Sequence, residues 1–378
     1  MKAATQPVQR PPDARLLVVD GAGRISHHPR GALADLLVPG DLVVANDAAT
    51  LPASLSGRHL ATGAAIEVRL AGRRSLAADD VACFLAVVFG AGDWRTRTED
   101  RPPPPPLEAG DTLALGPLAA TVVRVVAAPR LVELRFAGAA DAIRAGIARH
   151  GRTVQYAHVA TPLALWDVWT AIAARPVAFE APSAGFVLDW RLLGRLGARG
   201  IGFATLTHAA GLSSTGDIAL DAHLPFDEPY DLPAATVAAV QAARERGDRI
   251  VAIGTTVARA LEHAAAQPGG LRAGPGVATN RLGRSTRLGV VDALVSGTHE
   301  PGSSHHELLR AFVSEATLDR IDAALGSPSP GYRTHEFGDS VLVERGVAPP
   351  RAYVEPRSNL NTATLASRLG SVRTTLPA

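Results

Sequence analysis

Side chains able to move protons or hold ligands lie mainly in loops that follow predicted strands. In Arg249–Glu262 (RIVAIGTTVARALE), the apolar run Ile250–Ile253 predicts a buried strand, Gly254-Thr255-Thr256 a tight turn, and the spacing from Val257 onward a helix. The start of a helix offers unpaired backbone N–H groups and the positive end of a dipole, so it can hold an anionic or electron-rich group. An ordinary strand–helix connection capped by Thr256 is the alternative. The spacing puts Val257, Ala260, Leu261 and Ala264 on one helical face and Arg259, Glu262 and His263 on the other.

The loop Val295–His306 (VSGTHEPGSSHH) contains a second candidate group, His299. Pro301 restricts the backbone beside it, and an imidazole there can transfer a proton or act as a ligand. Ser304 with Glu307 matches a capping box for the next helix, which leaves Ser303 pointing into the loop. A surface histidine without a role is the alternative.

Further candidates lie in loops of similar character. Pro182 and Gly185 bracket two small residues, Ser183 and Ala184, in a segment (APSAG) that suits either a flat ligand or a plain turn. Other candidate positions lie at the ends of strands or in acidic loops: Asn46 and Asp47 at the end of the strand Asp41–Asn46, His208 after Ile201–Leu206, His223, Asp227, Glu228 and Tyr230 in HLPFDEPY, and the segment Tyr332–Asp339 (YRTHEFGD). For HLPFDEPY a solvated acidic loop is the alternative.

The elements that position these loops fall into two patterns. From Ile201 to Glu344 strands and helices alternate, which predicts an α/β layer domain. Between residues 57 and 138 the period-2 alternation predicts an inserted antiparallel β-barrel, with one continuous sheet as the alternative. The predicted domains are therefore an α/β main domain at 1–56 and 139–346, a barrel domain at 57–138, and a loosely ordered tail at 347–378. Met1–Pro12 is predicted to be disordered, and Leu163–Ala173 to be helical.

Composition excludes several classes of protein. The net charge of +2 is too small to indicate nucleic-acid binding by itself, and the single lysine, Lys2, excludes a P-loop. The single cysteine, Cys83, excludes an internal disulfide and a multi-cysteine metal site. His299-Glu300 begins a zinc-protease look-alike, but Pro301 and Ser303 break the motif, so that kind of zinc site is not expected. No signal peptide or membrane-spanning run is evident, and a cytoplasmic protein without membrane contact is expected.

Together these segments resemble the S-adenosylmethionine:tRNA ribosyltransferase-isomerase family of queuosine biosynthesis. The resemblance extends from about Arg15 to Glu344. It is carried by Pro39–Asp47, Leu51-Pro52-Ala53, Thr62–Val68, Ala181–Gly185, His223 with Glu228 and Tyr230, Ala252–Glu262, Val291–Val295, His299-x-Pro301-x-Ser303, and Tyr332-Arg333 with Phe337-Gly338-Asp339.

The resemblance implies an α/β domain interrupted by a β-barrel, and an unusual use of S-adenosylmethionine as ribosyl donor. The acceptor would be the aminomethyl group of a deazaguanine base in the tRNA anticodon loop, and adenine and methionine would leave. No cofactor beyond this co-substrate, and no metal, is implied. His299 or His223 would transfer the proton, with Glu228 as a further catalytic candidate. The implied substrate-binding positions are Asn46, Asp47, Pro182, Ser183, Ala184, Gly185, His208, Tyr230, Gly254, Thr255, Thr256, Arg259, Pro301 and Ser303, with Arg259 or Glu228 at the methionine end.

The sequence also departs from the family pattern. Two arginines of the pattern are replaced by Ala49 and Ser54, a lysine by Gly302, and the segments around Glu300, His305 and Thr334-His335-Glu336 differ. Because lost cations remove possible phosphate contacts, S-adenosylmethionine binding is better supported than tRNA binding. A relative acting on a non-tRNA acceptor and a non-catalytic nucleoside- or RNA-binding protein are the alternatives. We expect a monomer or a weak oligomer.

Overall fold

A twisted sheet forms the centre of the protein, for which a computed structural model describes residues 1–346. Within those residues the sheet has nine strands, in the spatial order Gly274–Ala278, Glu228–Leu232, Gly202–His208, Leu42–Asn46, Ile250–Ile253, Ala293–Gly297, Ser340–Glu344, Arg15–Val19 and Ile25–Pro29. The strands from Gly202–His208 to Ala293–Gly297 are parallel, and the outer pairings include antiparallel ones. The α/β class predicted from the alternating pattern is confirmed.

Two layers of side chains cover this sheet. Leu42 and Val44 join a core cluster on one face, whereas Val43 and Ala45 of the same strand join a cluster on the opposite face. A strand buried on both faces must be apolar throughout, which explains the continuous apolar runs of the central strands. The helices of the described region are Leu33–Leu36, Ala140–His150, Leu165–Val168, Trp190–Ala198, Ile218–Asp221, Ala234–Arg246, Thr255–Ala266, Ser304–Leu309 and Glu315–Gly326.

A closed antiparallel barrel is inserted between two strands of the main sheet. In the described residues it consists of six strands, in the order Leu118–Ala127, Leu131–Phe136, Cys83–Phe89, Ala65–Gly72, Ser54–His59 and Thr112–Leu115. Its interior is a separate apolar cluster that includes Leu55, Val68, Val87 and Leu134. The predicted barrel is therefore present, and its strands span 54–136. The limits of the domains remain predictions, and the predicted tail at 347–378 lies outside the described residues.

Two local predictions were wrong. Lys2–Ala3 pairs with Arg333–Thr334 and Ala4 is buried, so part of the lead-in joins the fold instead of being disordered. Leu163–Ala173 contains only the short helix Leu165–Val168, because its turns and exposed Trp166 do not provide a buried face. A small parallel pairing joins Arg175–Ala178 to Ala48–Thr50. Across residues 1–346, no helix combines the length and apolarity needed to cross a membrane.

Candidate functional site

The turn at Gly254 sits at the carboxyl end of the strand Ile250–Ile253. Gly254 has φ +98°, a conformation that strongly favours glycine, and its N–H donates to the carbonyl of Val295 at 2.8 Å. The helix Thr255–Ala266 begins directly after it, and no side chain caps this helix. The first N–H groups of a helix have no partner within it, so this end offers donors and positive potential.

A cavity of about 300 Å³ opens in front of this helix end, and we call it the first cavity. It joins segments that are far apart in the chain, namely Pro182–Ala184, Glu228, Gly254–Thr256, Arg259 and His299. Its volume lies at the lower end of the range typical of small-molecule sites. The convergence of these predicted residues at the carboxyl edge of the parallel strands agrees with the usual location of ligands in open α/β sheets.

An ion pair between Glu228 and Arg259 forms one wall of the first cavity. Glu228 is 4% and Arg259 3% exposed, and the Glu228 carboxylate also accepts from the N–H of Gly211 at 2.6 Å. Burial raises the pKa of Glu228, and the charge of Arg259 opposes that shift. The guanidinium also donates to the carbonyls of Asn280, Ala278 and Phe226, at 3.1, 3.0 and 3.2 Å. Because most of its donors are already used, Arg259 positions Glu228 more readily than it could hold a substrate carboxylate.

The helix Thr255–Ala266 is buried on its apolar face and also at Arg259 and Glu262, the charged positions of the opposite face. Arg259 and Glu262 are both buried, and the Glu262 carboxylate accepts from the N–H groups of Gly289, Val290 and Val291 at 2.6 to 2.9 Å. Charged side chains on this helix thus hold the preceding and following segments in place.

His299 faces the first cavity together with His305, and their rings stack at 4.3 Å with an interplanar angle of 12°. Burial, with a further contribution from His305, holds the pKa of His299 well below its usual value. Burial likewise lowers the pKa of His305 to about 4. Both imidazoles are therefore neutral near pH 7, and a neutral imidazole can accept a proton.

Two predicted residues lie away from the first cavity. The exposed His223 has its Nδ1 2.7 Å from the carbonyl of Ala219, and it borders a different cavity beside the barrel strands. The hydroxyl of Tyr230 lies 3.0 Å from Nδ1 of His263 on the helix Thr255–Ala266. The structure therefore brings neither residue to the predicted site, because helix Ile218–Asp221 and the sheet orient them elsewhere.

Three other predicted residues stabilise the strand ends behind the cavity. The Asn46 amide donates to the carbonyl of His208 at 2.9 Å, and its oxygen accepts from the N–H of His208 at 3.0 Å. Asp47 accepts from the hydroxyls of Thr205 and Thr207 at 2.9 and 2.6 Å. His208 is fully buried, and burial holds its pKa well below the usual value. Asn46 also reaches the Thr256 hydroxyl at 3.3 Å, so this network supports the Gly254 turn from behind.

The remaining predictions fall at turns. Ser303, rather than Ser304, is the N-cap residue of the helix Ser304–Leu309 and accepts from the N–H of His306 at 3.3 Å. The predicted capping box of Ser304 with Glu307 is therefore wrong, because the third helical position after Ser303 is His306 and not a glutamate. Pro301 is exposed. Gly185 packs against Thr170, where a Cβ would approach the Thr170 methyl to 2.9 Å, so this glycine permits close packing behind the cavity wall.

A larger adjoining cavity was not predicted, and we call it the second cavity. Its volume is about 610 Å³, and it shares Glu180, Ser213 and His299 with the first cavity. Glu180 is not among the residues predicted from the sequence, although it directly precedes the predicted segment Ala181–Gly185. His335 and Glu336 of the second cavity lie in the segment Tyr332–Asp339, to which the sequence assigns no specific role.

One group of residues in the described region has the composition and closeness of a metal site. The ligand atoms of His158, His335 and Glu336 lie within 4.8 Å of one another. However, the rings of His158 and His335 are stacked, with centroids 4.2 Å apart and an interplanar angle of 17°. A metal ion lies close to the plane of each imidazole that binds it, at 2.0–2.1 Å from the nitrogen for zinc, and two nearly parallel stacked rings do not share such a point. The arrangement favours ring stacking over joint metal coordination.

The positions of the replaced arginines correct one sequence argument. Ala49 is 5% exposed in a paired strand, and the Ser54 hydroxyl donates to Glu67 in the barrel at 2.8 Å. Neither position presents a side chain to the mouth of either cavity. Their change therefore says little about contact with phosphates.

The fold defines an α/β protein with an inserted barrel, and the first cavity lies at the carboxyl edge of its parallel strands. Residues 1–343 match the model of the queuosine biosynthesis protein family, and the chain belongs to that family. It is 35% identical to an S-adenosylmethionine:tRNA ribosyltransferase-isomerase from Gloeobacter violaceus, over 91% of this chain and 92% of the relative. It is 33% identical to the protein of the same name from Sorangium cellulosum, over 92% and 96%. A crystal structure of S-adenosylmethionine tRNA ribosyltransferase from Thermotoga maritima shares 24% identity, covers 90% of this chain and 95% of that chain, and superposes with a TM-score of 0.46.

Proposed function

We propose that this protein transfers the ribosyl group of S-adenosylmethionine to the aminomethyl group of a 7-deazaguanine base in tRNA and isomerises it to form epoxyqueuosine, with release of adenine and methionine. The observation that carries this proposal is the convergence of Pro182–Ala184, Gly254–Thr256, Glu228 and His299 on one cavity. The names of the relatives point to the same reaction. A cytoplasmic location, a monomeric or weakly oligomeric state, and the absence of any cofactor beyond the co-substrate belong to the proposal.

The first cavity provides complementary groups for each part of the donor. The uncapped start of the helix at Thr255 suits the methionine carboxylate, since backbone N–H groups and the helix dipole favour an anion. The hydroxyls of Thr255 and Thr256 are available to the ribose, and the small side chains of Ser183 and Ala184 leave room for the flat adenine. In this arrangement Glu228, fixed by Arg259, faces the positively charged sulfonium.

His299 is the residue we assign to proton transfer. A sulfonium makes the protons on its neighbouring carbon more acidic, and removal of one of them needs a base, which for an imidazole is the neutral form. The depressed pKa of His299 keeps its imidazole neutral near pH 7, and the abstracted proton would convert it to imidazolium. Glu228 would lower the energy of that cation only weakly, because its own charge is paired with Arg259.

His299→Ala should reduce adenine release by about 100-fold or more, because general-base catalysis typically contributes that much. Binding of S-adenosylmethionine should change by only a few-fold. The assay is mass spectrometry of adenine and methionine after incubation with S-adenosylmethionine and tRNA carrying the aminomethyl base. His28→Ala, at a half-buried position on the outer strand Ile25–Pro29, is the control. Full turnover by His299→Ala would remove this residue from the mechanism, and no turnover by the unaltered protein would contradict the function.

A second candidate function uses the same donor with a non-tRNA acceptor. It is favoured by the acidic lining of the second cavity, where the carboxylates of Glu99, Glu180, Glu300 and Glu336 lie near a single arginine, Arg97, among the described lining residues. Such a lining repels phosphates and suits a small amine. Adenine release that depends on a free amine and not on tRNA would support this alternative.

A further inference from the structure

The second cavity carries a stack of flat side chains. Tyr156 and His158 are parallel within 9° at a centroid distance of 6.3 Å, and His335 continues the stack 4.2 Å from His158. His335 has φ +69°, an uncommon conformation for a residue with a side chain. Such strain concentrates at functional sites, and here it holds the imidazole against its neighbour. A stack of this kind provides a face for a planar heterocycle, since stacking on aromatic rings tolerates many bases.

The charge of the second cavity is predominantly negative. Glu336 lies with its Oε2 2.7 Å from Nε2 of His158, and although burial opposes the effect, that hydrogen bond lowers the pKa of Glu336 and keeps it ionised. Arg97, the one arginine among the described lining residues, contacts Glu99 and so has its charge offset. His335 is held neutral because burial lowers its pKa. A ligand in this cavity therefore meets carboxylates that are not balanced by cations.

Glu180 lies at the junction of the two cavities. Its carboxylate accepts from the Tyr156 hydroxyl and from the N–H of Ser213, the latter at 3.0 Å, and the Ser213 hydroxyl lies 3.2 Å from that of Tyr156. These bonds fix the carboxylate, and both Glu180 and His299 line the two cavities. A cationic group bound to Glu180 would thus stand next to the contents of the first cavity.

We propose that the second cavity is the acceptor pocket, that it takes a flat nitrogen heterocycle bearing a protonated amine, and that Glu180 and Glu336 recognise this amine. The inference rests on the proposed function, because it assigns the first cavity to the donor. The ring stack holds the heterocycle, and Glu180 directs the amine towards the first cavity. Four residues lining this pocket, Glu300, His305, His335 and Glu336, are at positions where the sequence departs from the family pattern.

The test is isothermal titration calorimetry with two free bases, 7-aminomethyl-7-deazaguanine and 7-deazaguanine, which differ only in the aminomethyl group. We expect the amine-bearing base to bind about tenfold more tightly or better, the size of a hydrogen bond to a charged group. Glu180→Gln should reduce that difference to about threefold or less, whereas His335→Ala should weaken both bases. Glu245→Gln, at an exposed position, and His28→Ala, at a half-buried position on the outer strand Ile25–Pro29, are the matched controls. Circular dichroism and thermal melting confirm that each variant is folded.

A parallel titration with S-adenosylmethionine separates this inference from the proposed function. If the donor fails to bind while the amine-bearing base binds as described, the proposed function fails and the amine pocket stands. If the donor binds but the two bases bind equally, or Glu180→Gln leaves their difference unchanged, the inference is wrong. Displacement of the base by the donor would also overturn it, since the base would then occupy the first cavity.

Titration with tRNA that carries the aminomethyl base distinguishes the two sources of this chemistry. If Glu180→Gln no longer distinguishes tRNA with the aminomethyl base from tRNA without it, and the free base does not bind, the result supports the pocket with tRNA as the source. Binding of the free base alone supports the pocket with a small-molecule acceptor. Binding of neither form overturns the proposal.

Discussion

At the scale of single residues, the site separates groups held neutral from groups held charged. His299 and His305 lose their positive charge because burial disfavours the imidazolium form. Arg259 instead forms an ion pair with Glu228 in a wall where both are almost fully buried. The first arrangement suits a proton acceptor, whereas the second suits a rigid support.

Arg259→Ala should lower the free energy of unfolding by about 3–5 kcal/mol, because it leaves the buried Glu228 carboxylate without its partner. Denaturant unfolding followed by circular dichroism measures this change. Arg24→Ala, which removes an exposed pair with Asp20, should cost about 1 kcal/mol or less. Similar losses in the two variants would show that the buried pair does not support the wall.

The affinity of the second cavity for an amine-bearing base should depend on pH through Glu180. Burial raises the pKa of Glu180 to about 7, so its carboxylate is ionised above that pH and becomes protonated below it. Tyr156, Ser213 and Glu336 are the groups that face it. Affinity should therefore weaken several-fold as the pH falls from about 8 to about 6, and Glu180→Gln should flatten the profile. Calorimetry across this range is the measurement, and a flat profile for the unaltered protein would contradict it.

At the scale of elements, the Gly254 turn connects the sheet to the first cavity. The strand Ile250–Ile253 is buried on both faces, so its carboxyl end is fixed, and the left-handed glycine turns the chain directly into the helix Thr255–Ala266. A Cβ at this glycine would lie 3.5 Å from that of Ala184, an ordinary contact. Backbone strain, rather than a clash, therefore opposes substitution.

Gly254→Ala should destabilise the fold by about 1–3 kcal/mol, the cost of a positive-φ conformation that residues with a Cβ rarely adopt. Gly194→Ala is the matched control, because it lies within the helix Trp190–Ala198 where a Cβ has open space. That variant should be stabilised by about 0.5–1 kcal/mol. Denaturant unfolding of both variants checks the contrast, and equal effects would refute the role given to the turn.

At the scale of the whole molecule, charge and surface decide how a large acceptor would approach. A net charge of +2 provides little long-range attraction for tRNA, so its binding must depend on arginines near the mouth of the cavities. The exposed Arg281 lines the first cavity and is held by the carbonyls of Ala222 and His223. It is a suitable position for a phosphate contact.

Arg281→Ala should weaken tRNA binding about uniformly across tRNA sequences and reduce the salt dependence of the logarithm of the affinity by about 1. Filter binding at several salt concentrations provides the slope. Arg246→Ala, at an exposed position on the helix Ala234–Arg246, is the control and should leave the slope unchanged. An unchanged slope for Arg281→Ala would exclude this residue as a phosphate contact.

The sequence by itself determined the α/β class, the barrel and the strand–turn–helix at Gly254, because hydrophobic period and glycine position are local properties of the chain. It also identified the segments at Pro182, Gly254 and His299, although not the positions of His223 and Tyr230, which lie away from the cavity. Only the tertiary structure decided that Glu180, Tyr156 and His335 share one cavity, and that Arg259 is committed to Glu228. Those relations join residues separated by up to 179 positions, and no local pattern encodes which distant side chain will neutralise a buried charge.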